Sequence, residues 1–439
     1  MFARFPCPFQ HATSIFIMRT NTIIKNLGIM TRWQSFRWIK KIFCIFTDDS
    51  LHLLPWLSLD SMFGKKKKNA RKIKAMTITK PVHQLLFFIF MACIYHHDAS
   101  AKGIGHLQME RIKGFPVSEK GIEKGVSACF AGIVDGYLIM AGGCNFPDVP
   151  AADGGKKKFY QGIYAAKIST TADTLDWQLI GKLPEPCAYG VSVSLPNGLL
   201  CMGGCNAEGS FNQVFKIAIE QEKAIVKAYP ALPWKLDNFA GSLGCSTVMV
   251  YDGLHIAQLQ LEDLQKGWQI LSPITSEVLG QPVCGYTDGT FYAWGGCTSK
   301  TDKQDAQLQM QGYQFTKSGA KPVEGPRTCQ QEEIYLGGAA AVNCGDAGIV
   351  VLGGVNKDVF EAAVNHPMPG YMKHPIAWYR FNPYINLYKN GKWTLLGNHE
   401  AAARAGASLV FDGTHIYIIG GELKPGIRTA EIYRFRLPL

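Results

Sequence analysis

At 439 residues the chain is longer than an average domain, although closed all-β folds of more than about 250 residues occur as single units. Its formal charge of +11 is confined to one end: residues 1–101 hold 15 of the 45 Lys and Arg side chains against 4 of the 34 Asp and Glu. Residues 102–439 therefore carry 30 basic and 30 acidic groups, so this part has no basic field to hold a polyanion, and nucleic acid is excluded as its partner.

Residues 1–75 contain the run Lys65–Lys68 and no reliable periodicity, and they precede a plausible start at Met76. They are expected to be an over-extended or disordered leader. Residues 76–101 have the composition of a signal peptide. Lys72, Lys74 and Lys80 lead into an apolar run from Leu85 to Tyr95, followed by the small-x-small stretch Ala99-Ser100-Ala101. That run is only 11 residues long, short of the roughly 20 helical residues that span a bilayer, so export without a membrane span is expected. The alternative is a lipoprotein acylated at Cys93, within Met91-Ala92-Cys93, although Phe90 stands where such sites usually carry Leu.

Of 13 cysteines, ten lie beyond the leader, and none forms a C-x-x-C pair or a Cys/His cluster with zinc spacing. Their simplest role is as small apolar residues buried in strands. Disulfides are permitted in an exported protein, but spacing assigns no pairing.

From residue 102 onward the sequence repeats itself. An Asp/Asn-Gly turn, a short apolar strand and then Gly-Gly recur at Asp135-Gly136 to Gly142-Gly143, Asn197-Gly198 to Gly203-Gly204, Asp288-Gly289 to Gly295-Gly296 and Asp412-Gly413 to Gly420-Gly421. Gly348 opens a shorter version ending at Gly353-Gly354, and Asp252-Gly253 marks a sixth unit in which Gln258-Leu259 replaces Gly-Gly. Asp-Gly and Asn-Gly supply the positive φ of a tight hairpin, and a strand buried on both faces runs apolar. Gly-Gly ends that strand where neighbouring backbones leave no room for a Cβ. An aromatic third strand (Tyr164, Phe215, Tyr313, Tyr379, Tyr433) and a fourth strand, often with Trp (Trp177, Trp268, Trp393), complete each unit. Four strands at a period of roughly 50 predict an all-β, six-bladed Kelch-type β-propeller over 102–439. The last unit stops after its third strand, at 430–437. The segment Gly105 to Ile112 is expected to supply the missing outer strand and close the ring.

A propeller collects corresponding positions at the mouth of its channel. The residue after each Gly-Gly reads Cys144, Cys205, Cys297, Val355 and Glu422, and the next reads Asn145, Asn206, Thr298, Asn356 and Leu423. Glu422 is the one carboxyl in the first set. Among small apolar residues its pKa should rise toward the range useful for proton transfer; otherwise it is a solvated loop carboxylate. Pro425-Gly426 is a turn that can fold Arg428 back toward Glu422, and a guanidinium suits an acidic sugar.

The run Gly420 to Thr429 (GGELKPGIRT) resembles the G-E-x-K-P-G-x-R-T segment of the bacterial N-acetylneuraminate epimerases, or sialic acid mutarotases. Ala188-Tyr189-Gly190-Val191-Ser192, Gly353-Gly354-Val355-Asn356 and Arg404-Ala405-Gly406-Ala407 are similar as well, so the resemblance covers 104–439. The G-E-x-K-P-G segment lies at the C-terminus here and mid-chain in better-known members, which suggests a cyclically permuted branch. Cys187 departs from the Arg that family members carry before Ala-Tyr-Gly.

The resemblance implies a periplasmic isomerase that needs no metal or nucleotide cofactor, takes a small acidic sugar as its partner, and interconverts the α and β anomers of N-acetylneuraminate. It places the catalytic pair on Glu422, for proton transfer, and Arg428, for the sugar carboxylate. Lys424 and Arg404 are further candidates for substrate contact, and Asn145, Asn206 and Asn356 for hydroxyl or N-acetyl groups. The competing reading is a non-catalytic carbohydrate- or protein-binding propeller. A copper-radical oxidase would need clustered Tyr and His ligands, whereas His106, His255, His366, His374, His399 and His415 are scattered.

Overall fold

At Asp135-Gly136 and Asp288-Gly289 both residues take positive φ (48° and 78°, 52° and 73°), the geometry that turns one strand straight back along its neighbour. Hairpins of this kind begin blades 1 and 4 in the computed structural model, which describes residues 107–437 except 170 and 317. The leader, the 76–101 segment and Cys93 lie outside the described residues. Six four-stranded antiparallel sheets follow, each a blade whose first strand is innermost.

Blade 1 comprises Phe130–Val134, Tyr137–Ala141, Gly162–Lys167 and Gln178–Lys182. Blade 2 comprises Val191–Leu195, Gly198–Met202, Val214–Glu220 and Lys223–Ala228. Blade 3 comprises Ala240–Gly244, Thr247–Tyr251, Ile256–Gln260 and Trp268–Ile270. Gly280–Thr287, Thr290–Cys297, Gly312–Thr316 and Gly319–Val323 make blade 4. Ala339–Asn343, Ile349–Gly353, Tyr384–Lys389 and Lys392–Asn398 make blade 5. In blade 6, Ser408–Phe411, His415–Ile419 and Ile432–Arg436 are completed by Met109–Ile112 from the start of the described chain. The apolar second strands are the most deeply buried, and the cores lie between successive blades.

The Gly-Gly pairs join one blade to the next. A Cβ on Gly420 would stand 2.3 Å from the Val126 carbonyl oxygen, so no side chain fits there. In four of the five pairs the second glycine donates its N–H across the blade boundary: Gly143 to the Cys187 carbonyl, Gly204 to Leu236, Gly354 to Arg404 and Gly421 to Val126, all at 2.8–2.9 Å. Because these amides have no ladder partner, the contact satisfies buried backbone groups while fixing blade spacing.

Three details differ from the sequence reading. Asp252-Gly253 does not open the second strand of blade 3; the hairpin there turns at Cys245-Ser246, and Asp252-Gly253 follows Tyr251, where other blades have Gly-Gly. The Asp252 carboxylate accepts from the His255 N–H at 2.6 Å, so the chain reverses within four residues and needs no Gly-Gly. Tyr379 is not in the third strand of blade 5. It ends a short 3₁₀ turn, Ile376–Tyr379, inside an insertion that also contains the helix Lys357–Asn365, and the strand begins at Tyr384. Trp177 sits just before its strand, Gln178–Lys182.

Ring closure takes the expected form over a shorter span. Met109 pairs with Phe435 and Ile112 with Ile432, and Glu110 accepts from Arg434 Nε at 2.9 Å. Ile112 is buried among Ile432, Ile419 and Leu175. Substituting Ile112→Ala should lower the unfolding free energy by about 2–5 kcal/mol in a urea titration. Val117→Ala, at an exposed position, should change it by less than about 0.5 kcal/mol. Equal effects would show that the strand from Met109 to Ile112 does not carry the closure.

Candidate functional site

Beyond the Gly-Gly pairs the chain forms small hairpins at one mouth of the ring. Cys144–Asn145 pairs with Lys158–Phe159, Cys205–Asn206 with Gly209–Ser210, and Glu422–Lys424 with Ile427–Arg428. Bridges within blades 1, 2 and 6 join Ser127 to Cys144, Ala188 to Cys205 and Ala405 to Glu422, so the three residues after Gly-Gly occupy equivalent places. At that place Cys144 and Cys205 are thiols and Glu422 is a carboxyl.

The local sequence brings Glu422 to Arg428. Pro425-Gly426 reverses the chain, with Gly426 at φ 83°, and Glu422 stands directly opposite Arg428 in the ladder. The Glu422 Oε2 lies 2.7 Å from a terminal nitrogen of Arg428, and the Gly426 N–H donates to Oε1 at 3.1 Å. Arg428 Nε donates to Ser127 Oγ at 3.1 Å, and the guanidinium lies 5.0 Å from the centre of the Phe146 ring. Its other terminal nitrogen is buried without a partner among the described residues. The Arg428 side chain is 4% exposed and that of Glu422 22%, so the arginine stands behind the carboxylate.

Burial pushes the Glu422 carboxyl above its ordinary value; Arg428, the Gly426 N–H and Lys157 oppose the rise without cancelling it. The unfolded chain therefore sheds this proton at lower pH than the folded one. The linked contribution to stability is complete at low pH and is lost as pH rises through the folded-state value.

Glu422 opens onto a cavity of about 320 Å³, within the usual size range for small-molecule sites. Ser127, Tyr189, Gln281 and Asn356 line it on the polar side. The blade 5 insertion adds an apolar and aromatic wall that includes Phe360, Tyr371, Tyr379 and Phe381. Two larger clefts, of about 790 and 1000 Å³, lie between blades 4 and 5 and between blades 3 and 4. They include residues of the Asp288-Gly289 hairpin, at the end of the strands away from Gly-Gly, and hold neither Glu422 nor Arg428.

The other expected contacts are placed differently. Arg404 is 2% exposed; it donates to the Gly420 and Glu431 carbonyls at 2.8 and 3.0 Å and pairs with the Glu431 carboxylate at 3.5 Å, so it packs between blades 5 and 6. Lys424 Nζ donates to the carbonyls of His374 and Met372, at 2.6 and 3.2 Å, and ties the hairpin to the blade 5 insertion. Asn145 is buried, donating to the carbonyls of Gly121 and Gly125 and accepting from the Tyr160 hydroxyl. Asn206 accepts from the Glu208 N–H in a local turn. Asn356 does line the cavity, where its Oδ1 caps the helix Lys357–Asn365 through the Val359 N–H at 3.2 Å.

Sequence reasoning gave no role to Ser127, Lys157 or Tyr189. Tyr189 stands at φ 61°, unusual for a bulky residue, and its hydroxyl accepts from Lys157 Nζ at 2.9 Å. The signal for it lay in the stretch Ala188-Tyr189-Gly190. Lys157 sits in the middle of Lys156-Lys157-Lys158, a run that reads as a solvated loop.

Fold and site together define a six-bladed propeller with a half-buried carboxyl, backed by arginine, at its axial mouth. The profile of a family described as N-acetylneuraminate epimerase matches residues 98–226 and 229–438, and the chain belongs to that family. It is similar to proteins named N-acetylneuraminate epimerase from Salmonella enteritidis PT4 (27% identical over 227 residues, 47% of this chain and 57% of that protein) and Haemophilus influenzae PittEE (27% over 233 residues, 48% and 60%). The match to the curated relatives thus spans less than two thirds of their length. A solved structure titled "Structure of YjhT" aligns with a TM-score of 0.49 and 14% identity, covering 73% of this chain and 95% of that one.

Arg428→Met removes the main group that holds the Glu422 proton affinity down. The Glu422 titration, followed by carbon-13 NMR of the side-chain carboxyl, should move to higher pH. A downward or absent shift would contradict the pairing.

Proposed function

We propose that the protein is a mutarotase that interconverts the α and β anomers of N-acetylneuraminate by general acid–base ring opening. The observation that carries this reading is the Glu422 carboxyl, which faces a cavity of about 320 Å³, is raised in proton affinity by burial and is fixed in direction by Arg428 and the Gly426 N–H. Family membership and relatives named N-acetylneuraminate epimerase support it.

The chemistry needs one well-placed proton carrier. Glu422, as carboxylate, takes the proton of the anomeric hydroxyl. A carbonyl forms as the bond from the anomeric carbon to the ring oxygen breaks, and the ring oxygen keeps the electron pair and is protonated. Rotation beside the new carbonyl presents its other face, and the same steps in reverse close the ring as the other anomer. Protons and electrons balance without a further reagent. A carboxyl of ordinary acidity would be a weak donor near neutral pH; raised proton affinity makes both directions of transfer accessible. Arg428 acts through Glu422, fixing its rotamer and moderating its affinity. The expected export segment would deliver the domain to the periplasm.

The test is proton NMR of freshly released α-N-acetylneuraminate. Catalytic amounts of the protein should speed the approach to anomeric equilibrium, and Glu422→Gln should slow the catalysed exchange by roughly 100- to 10,000-fold while retaining binding. Thermal unfolding checks that the variant is folded, because it leaves Arg428 without its carboxylate. A folded Gln variant with wild-type exchange would overturn the assignment.

A further inference from the structure

An acidic sugar needs a cation in the pocket, and the geometry around Arg428 is unsuited to that task. Its guanidinium is engaged by Glu422, Ser127 and the Phe146 ring and has almost no exposed surface, and its one terminal nitrogen without a partner among the described residues is itself buried. Taking a second carboxylate would bring that anion against Glu422 and divide one cation between two. Arg404 and Lys424 are held by carbonyls elsewhere, and Lys158 donates to the Lys120 carbonyl at 2.7 Å.

Lys157 differs from these. Its hairpin enters the mouth between blades 1 and 2, and the ammonium lies 4.7 Å from the centre of the Tyr189 ring and 6.0 Å from those of Phe146 and Phe159. Its hydrogen-bond partner among the described residues is the neutral Tyr189 hydroxyl, so its charge is uncompensated at that contact. Tyr189 lines the cavity, and its left-handed backbone, which costs about 1–3 kcal/mol, sets the ring there. The field of Lys157 is felt at Glu422, so the cation and the carboxyl share one electrostatic environment. Glu422, Arg428 and Lys157 together carry one excess positive charge, supplied by the most accessible of the three.

We propose that Lys157, steadied by the Tyr189 hydroxyl and the surrounding rings, binds the carboxylate of the acidic sugar, and that Arg428 does not. This rests on the proposed function and names the specificity determinant of the same site. A flexible ammonium on an exposed stem can reach the ligand without breaking the Glu422–Arg428 pair, and the aromatic faces limit the orientations it must give up on binding.

The experiment compares N-acetylneuraminate with its neutral methyl ester by calorimetric titration against wild type, Lys157→Met and Lys157→Arg. Wild type should prefer the acid by about 10- to 100-fold, the range expected for a charge-assisted hydrogen bond. Lys157→Met should bind acid and ester alike, and Lys157→Arg should keep most of the preference. Substitution at this exposed position leaves the core intact, so misfolding does not confound the result. An undiminished preference in Lys157→Met, or equal binding of acid and ester by wild type, would overturn the role of Lys157 and leave the proposed function standing. Failure of wild type to bind either compound would overturn both.

Discussion

The Arg428 guanidinium spans the seam at which the ring closes. One of its nitrogens meets Glu422 in the last blade, and another donates to Ser127, which leads into the first. These residues are 301 positions apart in the case of Ser127 and Arg428, and they meet because the Met109–Ile112 strand completes blade 6 and the Gly421 N–H binds the Val126 carbonyl. The closure that removes a fraying edge also assembles the polar core of the site. A buried cation of this kind is tolerable because its carboxylate partner and a hydroxyl replace the water it has lost.

Much of this was legible in the sequence, for reasons that can be stated. Asp/Asn-Gly turns and Gly-Gly pairs are demands of the backbone itself, so they recur in most of the blades. Glu422 and Arg428 were legible because a Pro-Gly turn between two residues six apart leaves little choice about where they meet. Asp252-Gly253 misled because the same dipeptide serves two different reversals, before the second strand in blades 1, 4 and 6 and after it in blade 3. Tyr379 misled because an aromatic residue at roughly the right spacing belongs to an insertion that builds the cavity wall.

The asparagines after Gly-Gly show where repeat logic ends. Asn145, Asn206 and Asn356 occupy equivalent backbone places, yet one is consumed by the carbonyls of Gly121 and Gly125, one by a local turn, and one caps a helix beside the cavity. Repetition fixes the position of a Cα but leaves the neighbours of its side chain to the loops, which are unique to each blade. Lys157 and Tyr189 come from two such loops and were invisible to any argument along one blade. The cysteines are the converse case. Burial pushes the thiols of Cys187 and Cys205 up to about 12, and all ten described cysteines are unbridged; six are buried as small apolar residues, whereas Cys205 and Cys297 are half-buried and Cys245 and Cys329 exposed.

The central claim is that the carboxyl at the seam works on the anomeric centre of an acidic sugar. A crystal structure of the protein soaked with N-acetylneuraminate tests it most directly. The account predicts the anomeric hydroxyl or ring oxygen within about 3 Å of a Glu422 carboxyl oxygen, inside the cavity roofed by the blade 5 insertion. A sugar bound in the clefts between blades 3, 4 and 5, or seated in the cavity with its anomeric carbon turned away from Glu422, would contradict it.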